Sequence, residues 1–311
     1  MRAKKQWADA IFTADWHIRE DNPPCRLDQW PETQWDKVGQ IRELQWQHEC
    51  PVFIAGDFFH HWKPSPFLLQ RTIAELRQFK FPVGVIPGQH DLPQHSQEQY
   101  DRSGLAVLEA ADVITVLKEP TLTDPWDEGK IAVTGFPWNT TPGGITPLAP
   151  IHVALVHLLV YKGEPPFPGA EKSGGTAQSL LSRMPGYDVV VTGDNHQTFT
   201  DTRGNQLLVN PGSLGRQTAA QTDHEPSVFL WYSATNTVER HALRYNKGAI
   251  TREHLDGPAE RDERMEAFVR RISDSYEVSL SFKDNITKFL AANVIRKPVQ
   301  DLVWELMEET K

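Results

Sequence analysis

Two cysteines in 311 residues are too few for a disulfide framework. Cys25 and Cys50 therefore read as reduced thiols, which predicts a cytoplasmic protein. No apolar run approaches the roughly twenty residues that a membrane helix needs, so no membrane association is expected. The basic opening Met1-Arg2-Ala3-Lys4-Lys5 leads into a short apolar run that already holds Asp15, which is not the pattern of a signal peptide. Positive charge is also scarce. Lys and Arg number 32 against 41 Asp and Glu, a net charge of -9, so the chain as a whole does not steer towards nucleic acid. A local basic groove, or metal ions neutralising some carboxylates, would still permit a nucleic-acid enzyme. There is no fixed-period repeat and no low-complexity tract.

What is present is a soluble composition with short apolar runs between helical patterns. Ala8 to Ala14, Val52 to Ala55 and Val83 to Ile86 read as buried strands. Helices are predicted over Gln34 to His48 and over Gly104 to Ala110. A third should start at Pro66 with Ser65 as its cap and bury Phe67, Leu68, Ile73, Leu76 and Phe79. This alternation argues for an α/β fold. Further strands are expected over Ile131 to Gly135, Ile151 to His157, Val189 to Thr192, Leu207 to Asn210 and Val228 to Tyr232. The composition shifts near Lys247-Gly248, which divides a main domain, 1–247, from a small C-terminal α+β appendage, 248–311. The appendage should hold an amphipathic helix over Ala259 to Ile272, a strand over Tyr276 to Phe282 and a helix from Pro298. Its helices are expected either to pack on the main domain or to offer a partner-binding face.

Chemistry gathers at the strand ends. Asp15 and His17 follow the first strand, Asp57 the second, and Gly88-Gln89-His90-Asp91 the third. His157 ends the run Val153 to Val156, and Gly193-Asp194-Asn195-His196 follows Val189 to Val191. Ligands in α/β sheets collect outside the carboxyl ends of strands. Each piece alone is a common turn or a buried histidine. Five in order predict a mixed nitrogen and oxygen pocket for two divalent metal ions. Manganese suits that donor set, with magnesium, iron or zinc as alternatives.

The set Asp15-x-His17, Gly56-Asp57, Gly88-Gln89-His90-Asp91, His157 and Gly193-x-x-His196 resembles the calcineurin-like metallophosphoesterases. The resemblance implies a four-layer α-β-β-α sandwich with a binuclear metal centre. The stretch Gly56-Asp57-Phe58-Phe59-His60-His61-Trp62-Lys63-Pro64-Ser65 is similar to that of the SbcD-type DNA repair nucleases, bacterial and phage counterparts of the eukaryotic break-repair nuclease subunit. Asp15 to Arg26 and Val209 to His224 look most like phage-encoded members. On this resemblance Asp15, His17 and His196 would hold one metal, and His157, Gln89 and Asp194 the other, with Asp57 bridging. His90 would assist the leaving oxygen, and His60 would sit near the substrate phosphates. Two positions depart from the family pattern, which has Asn where Gln89 stands and His where Asp194 stands. Both fall on the second metal and make it harder and more anionic.

The function implied is metal-dependent phosphodiester hydrolysis of DNA, as an exonuclease and single-strand endonuclease. A small-molecule phosphodiesterase or phosphatase of the same superfamily is the alternative, and a non-catalytic DNA-end or ATPase-binding scaffold is a third reading. The resemblance also implies a homodimer, a coiled-coil ATPase of the SbcC type as partner, and the cytoplasm of a bacterium or phage host as the setting. Trp16, Trp62 and Trp138 lie near the motifs and could stack on unpaired bases or pack in the core.

Overall fold

In the computed structural model, residues 7–117, 130–145, 149–166, 170, 174–252 and 297 are described. The chain divides into two units, residues 1–251 and 252–311, and every element below lies in the first. The helices expected over Ala259 to Ile272 and from Pro298, and the strand over Tyr276 to Phe282, fall outside the described residues.

Six strands form the first sheet. They are β1 (Ala10–Thr13), β2 (Val52–Ile54), β3 (Val83–Val85), β4 (Ile114–Val116), β12 (Ser227–Tyr232) and β13 (Thr237–Ala242), in the order β13-β12-β1-β2-β3-β4. The neighbours from β1 to β4 pair parallel, and β12 and β13 close the other side antiparallel. The second sheet holds β5 (Ile131–Phe136), β6 (Ile151–His157), β9 (Val189–Gly193), β10 (Phe199–Arg203) and β11 (Gln206–Asn210), in the order β10-β11-β9-β6-β5. All its pairings are parallel except that of the edge strand β10. A two-stranded piece joins β7 (Val160–Tyr161) to β8 (Gly175–Thr176).

Period-two side chains sort the strands into layers. Phe12, Phe53, Val153, Leu155, Val189, Val191, Val209 and Phe229 meet between the two sheets. Ile11, Val52, Ile54, Val228 and Leu230 point the other way. They pack under α1 (Trp30–His48), α2 (Pro66–Leu76) and α3 (Gly104–Ala110). On the far side, Ala154, Val156, Val190 and Leu208 pack against α4 (Ala177–Arg183). The result is helix, sheet, sheet, helix, the four layers expected. Each Val, Leu, Ile or Phe side chain fully buried in these layers contributes roughly 1.5–3 kcal/mol.

The ends of the helices show where the sequence pattern was incomplete. Helix α2 begins as expected, with Ser65 Oγ accepting the Leu68 N–H at 3.1 Å. Its inner face is Leu68, Thr72 and Leu76, however, and Phe67 is 62% exposed. Helix α1 starts at Trp30, four residues before the expected start. Pro31 fits a first helical turn, and Asn22 Oδ1 accepts the Trp30 N–H at 2.7 Å. No described helix is long and apolar enough to cross a membrane.

Lys37 on α1 is buried, with Nζ donating to the Arg244 carbonyl at 3.0 Å. Burial, with Arg26 nearby, lowers its ammonium from 10.5 to about 8. Between those values the unfolded chain holds the extra proton, so this group's contribution to stability rises with pH through that window. The thermal midpoint of the wild type should therefore gain on that of Lys37→Met as pH rises from about 8 to about 10. A difference that stays constant with pH would show that Lys37 is not buried as a costly cation.

Candidate metal centre

The segments that leave β1, β2, β3, β6 and β9 converge. After β1 and β2 the chain continues a ladder: the Asp15 N–H donates to the Gly56 carbonyl at 3.0 Å, His17 to Asp57 at 3.0 Å, and Ile18 to Phe58 at 2.9 Å. Along it the backbone turns left-handed at Asp15 (φ 50°), His17 (φ 44°) and Asp57 (φ 51°), and Asp194 after β9 does the same (φ 80°). Such conformations cost on the order of 1–3 kcal/mol each and persist where surrounding structure enforces them. Here they sit on candidate ligands and aim them at one point.

Two glycines allow the close approach. A Cβ on Gly56 (φ +94°) would lie 2.0 Å from His157 Nδ1, and one on Gly88 would lie 2.1 Å from Asp57 Oδ1. Asp91 then staples the loops after β2 and β3. Its carboxylate accepts the N–H groups of Phe59 at 2.9 Å, Gly88 at 2.9 Å and Phe58 at 3.1 Å. Burial, with Asp57 beside it, lifts its carboxyl to about 7.

At the centre is Asp57. Its Oδ1 accepts the His90 N–H at 2.9 Å. Its Oδ2 is buried without a hydrogen bond and faces His157 Nε2 at 3.5 Å and His17 Nε2 at 3.7 Å. His17 Nε2 lies 3.1 Å from His196 Nε2. Asp15 is fully buried and accepts the Asp194 N–H at 3.0 and 3.2 Å. His157 Nδ1 donates to the Ala55 carbonyl at 2.7 Å, and its Nε2 meets Gln89 Oε1 at 2.6 Å. Gln89 Nε2 donates to Asp194 Oδ1 at 2.7 Å.

Electrostatics follow from burying the Asp15 and Asp57 carboxylates together, with Asp194 half-buried beside them. Burial, Asp57 and Asp194 hold Asp15 well above the usual carboxylate range, although His157 pulls the other way. Burial opposes charge on His157, but Asp57, Asp15 and Asp194 together raise it to about 10. Burial lowers His17 and His196, which keeps their ring nitrogens free to donate lone pairs. The site therefore calls for positive charge: His157 supplies it as an imidazolium, which a bound cation would deprotonate, while His17 and His196 are neutral donors.

The donors fit metal ions. Donor atoms of Asp15, His17 and His196 lie within 4.8 Å of one another, as do those of Asp15, Asp57 and His157. With His157 Nδ1 donating to a carbonyl, loss of the Nε2 proton would turn a bare nitrogen towards an amide oxygen and the unpaired Asp57 Oδ2. Acceptors converging in this way are the donor set of a cation.

All nine residues singled out from the sequence come together here. His90 Nδ1 donates to the His60 carbonyl at 3.0 Å, and the two rings stack at 16° with centroids 5.7 Å apart. Burial, Arg19 and His90 push His60 down to about 4. Trp16 proves fully buried, with its indole N–H on Thr13 Oγ1 at 3.0 Å, so it packs in the core and does not stack on bases. Trp62 and Trp138 are half-buried, and the Trp138 ring lies 6.3 Å from His157. Sequence reasoning assigned no role to Asp91, although it stood in the third motif. It missed Gln221, whose Nε2 lies 2.7 Å from Ser213 Oγ and 3.4 Å from His196 Nδ1. No motif signals that residue.

Two clefts flank the centre. One of about 140 Å³ is lined by His17, Arg19, His60 and His90, and one of about 620 Å³ by Asp194, His196, Asp223, Glu225 and Arg240.

Among solved structures, the chain is similar to an archaeal phosphodiesterase at 14% identity, covering 75% of this chain and 99% of that one, with a TM-score of 0.40. It is also similar to a putative 5'-nucleotidase from Staphylococcus aureus at 13% identity, covering 79% and 56%, with a TM-score of 0.45. A 5'-nucleotidase precursor from Thermus thermophilus matches at 13% identity, covering 88% and 60%, with a TM-score of 0.44. The chain thus spans under two thirds of the length of both nucleotidases. No curated protein sequence matches it. The family model of the calcineurin-like phosphoesterases matches residues 10–198, the stretch that carries the centre up to His196, and the chain belongs to that family.

Proposed function

We propose that this protein is a phosphodiester hydrolase of the SbcD-type branch that cuts DNA with two divalent cations, manganese above all. The observation that carries the two-cation reading is Asp57 Oδ2, buried without a hydrogen bond between His17 and His157. Asp15, His17 and His196 would hold one cation. Gln89 and His157 would hold the other, with Asp194 beside them and Asp57 shared. When bound, such ions supply Lewis acidity on phosphate oxygens and a strong nucleophile at neutral pH. The chain's own part is proton transfer. The His60 carbonyl fixes the His90 ring through Nδ1–H, so the ring would protonate the departing ester oxygen from Nε2 as the imidazolium and be left neutral. His60 lines the narrow cleft beside it, where a substrate phosphate would pass.

The DNA assignment is supported by the stretch from Gly56 to Ser65, which resembles the nuclease branch. The wide cleft favours a second reading, a small phosphodiester. It carries Asp223 and Glu225, and its Arg240 is paired with Glu225 at 3.6 Å, a field that repels a polyanion. Digestion of linear DNA with manganese, alongside bis-p-nitrophenyl phosphate, separates the two. DNA cleavage is the expected result. Turnover of the small ester with intact DNA would favour the second reading, and hydrolysis of neither would favour a scaffold. The nuclease reading also carries a homodimer, a coiled-coil ATPase partner of the SbcC type, and a reduced capping segment in residues 248–311. Pull-down with such an ATPase tests the partnership.

A further inference from the structure

We infer that Asp194 is a positioning residue for the second cation, which acts by fixing which end of the Gln89 carboxamide faces the metal. This rests on the two-cation reading above. Gln89 stands between a carboxylate, which accepts, and an imidazole nitrogen, which accepts once a cation has displaced its proton. On one side is Asp194 Oδ1 at 2.7 Å, and on the other is His157 Nε2 at 2.6 Å. The amide can turn either end to either neighbour, and the two orientations have opposite consequences.

With the nitrogen towards Asp194, the amide donates to a carboxylate, a charge-assisted bond. Its oxygen then joins His157 Nε2 and Asp57 Oδ2, the latter 3.5 Å from that nitrogen. Three acceptors converge and make a seat for a cation. With the amide turned over, the nitrogen would donate to His157 Nε2 and its N–H groups would fill the seat. A cation would be repelled there. A protonated His157 opposes the turn, since with Nδ1 on the Ala55 carbonyl its Nε2–H donates to the amide oxygen. That proton must leave for a cation to bind, however, and the bare Nε2 would then accept from the turned amide readily. Asp194 prevents it, because the turned amide would press its oxygen against a carboxylate. Asp194 is itself held for the task. Its backbone is left-handed at φ 80°, and its N–H is fixed on both Asp15 oxygens.

Titration of the apoprotein with Mn²⁺, following free Mn²⁺ by electron paramagnetic resonance, tests this through a double-mutant cycle. Asp194→Ala and Gln89→Ala should each weaken the second ion by about 10–100-fold and leave the first in place. The double variant should be no weaker than the worse single, because both remove the same oriented oxygen. Gln89→Glu placed on Asp194→Ala should restore the second ion, since a carboxylate has no wrong end. Losses that multiply in the double variant would make Asp194 a ligand in its own right and overturn the inference. Failure of Gln89→Glu to restore the ion would also overturn it. A wild-type chain that binds one Mn²⁺ would instead overturn the two-cation reading, and this assignment with it.

Discussion

Asp57→Asn should give a folded protein that no longer binds two Mn²⁺ ions and hydrolyses phosphodiesters at least about 10³-fold more slowly. That figure is several kcal/mol of lost Lewis-acid stabilisation, at 1.36 kcal/mol per tenfold. The substitution is chosen because it changes little else. Asn keeps an oxygen at Oδ1 to accept the His90 N–H, so the loop after β3 stays tied. What goes is the charge at Oδ2, the atom that faces both His17 and His157. In the wild type that carboxylate is held below the usual range: burial opposes its charge, but His157 and His17 outweigh it. Metal content by elemental analysis and turnover of an activated diester measure the two effects on one preparation. A variant that keeps two ions and wild-type turnover would remove Asp57 from the centre.

His90→Ala should do the reverse, keeping both ions while losing about 10²–10⁴-fold on DNA, the usual contribution of a positioned general acid. The Asp57 contact survives because it uses the backbone N–H of His90. The loss should also depend on the leaving group. DNA departs as a poor alkoxide that needs a proton, whereas p-nitrophenolate leaves without one. The variant should therefore lose far less on bis-p-nitrophenyl phosphate than on DNA. Normal DNA cleavage by His90→Ala, or equal losses on both substrates, would exclude His90 as the proton donor.

Strands buried on both faces were legible in the sequence, because runs such as Val189 to Val191 have no polar side to present. The edge strands β10 and β13 were not. Thr237–Ala242 is half or wholly exposed and reads as a polar loop until β12 pairs with it. The start of α2 was legible from Ser65 and Pro66, but the face it buries was not. A cap fixes where a helix begins and leaves its rotation to packing, which turned Phe67 outward and Thr72 inward.

The ligands could be read because each stands just past an apolar run. Their aim could not. The left-handed turns at Asp15, His17 and Asp57 are enforced by the ladder between two loops; Asp and His tolerate such turns better than most residues, but residue type does not say which of them adopt one. The bond from Gln89 to Asp194 joins residues 105 positions apart. In the sequence these are two separate departures from the family pattern, and in the fold they are one contact. Trp16 shows the opposite failure: proximity to Asp15 and His17 in the chain says nothing about which way a side chain points.

Anomalous scattering from crystals grown with manganese tests the central claim most directly. Two peaks are expected with Asp57 between them, one among Asp15, His17 and His196 and the other beside His157 and Gln89. A single peak, or two peaks that Asp57 does not join, would contradict the account.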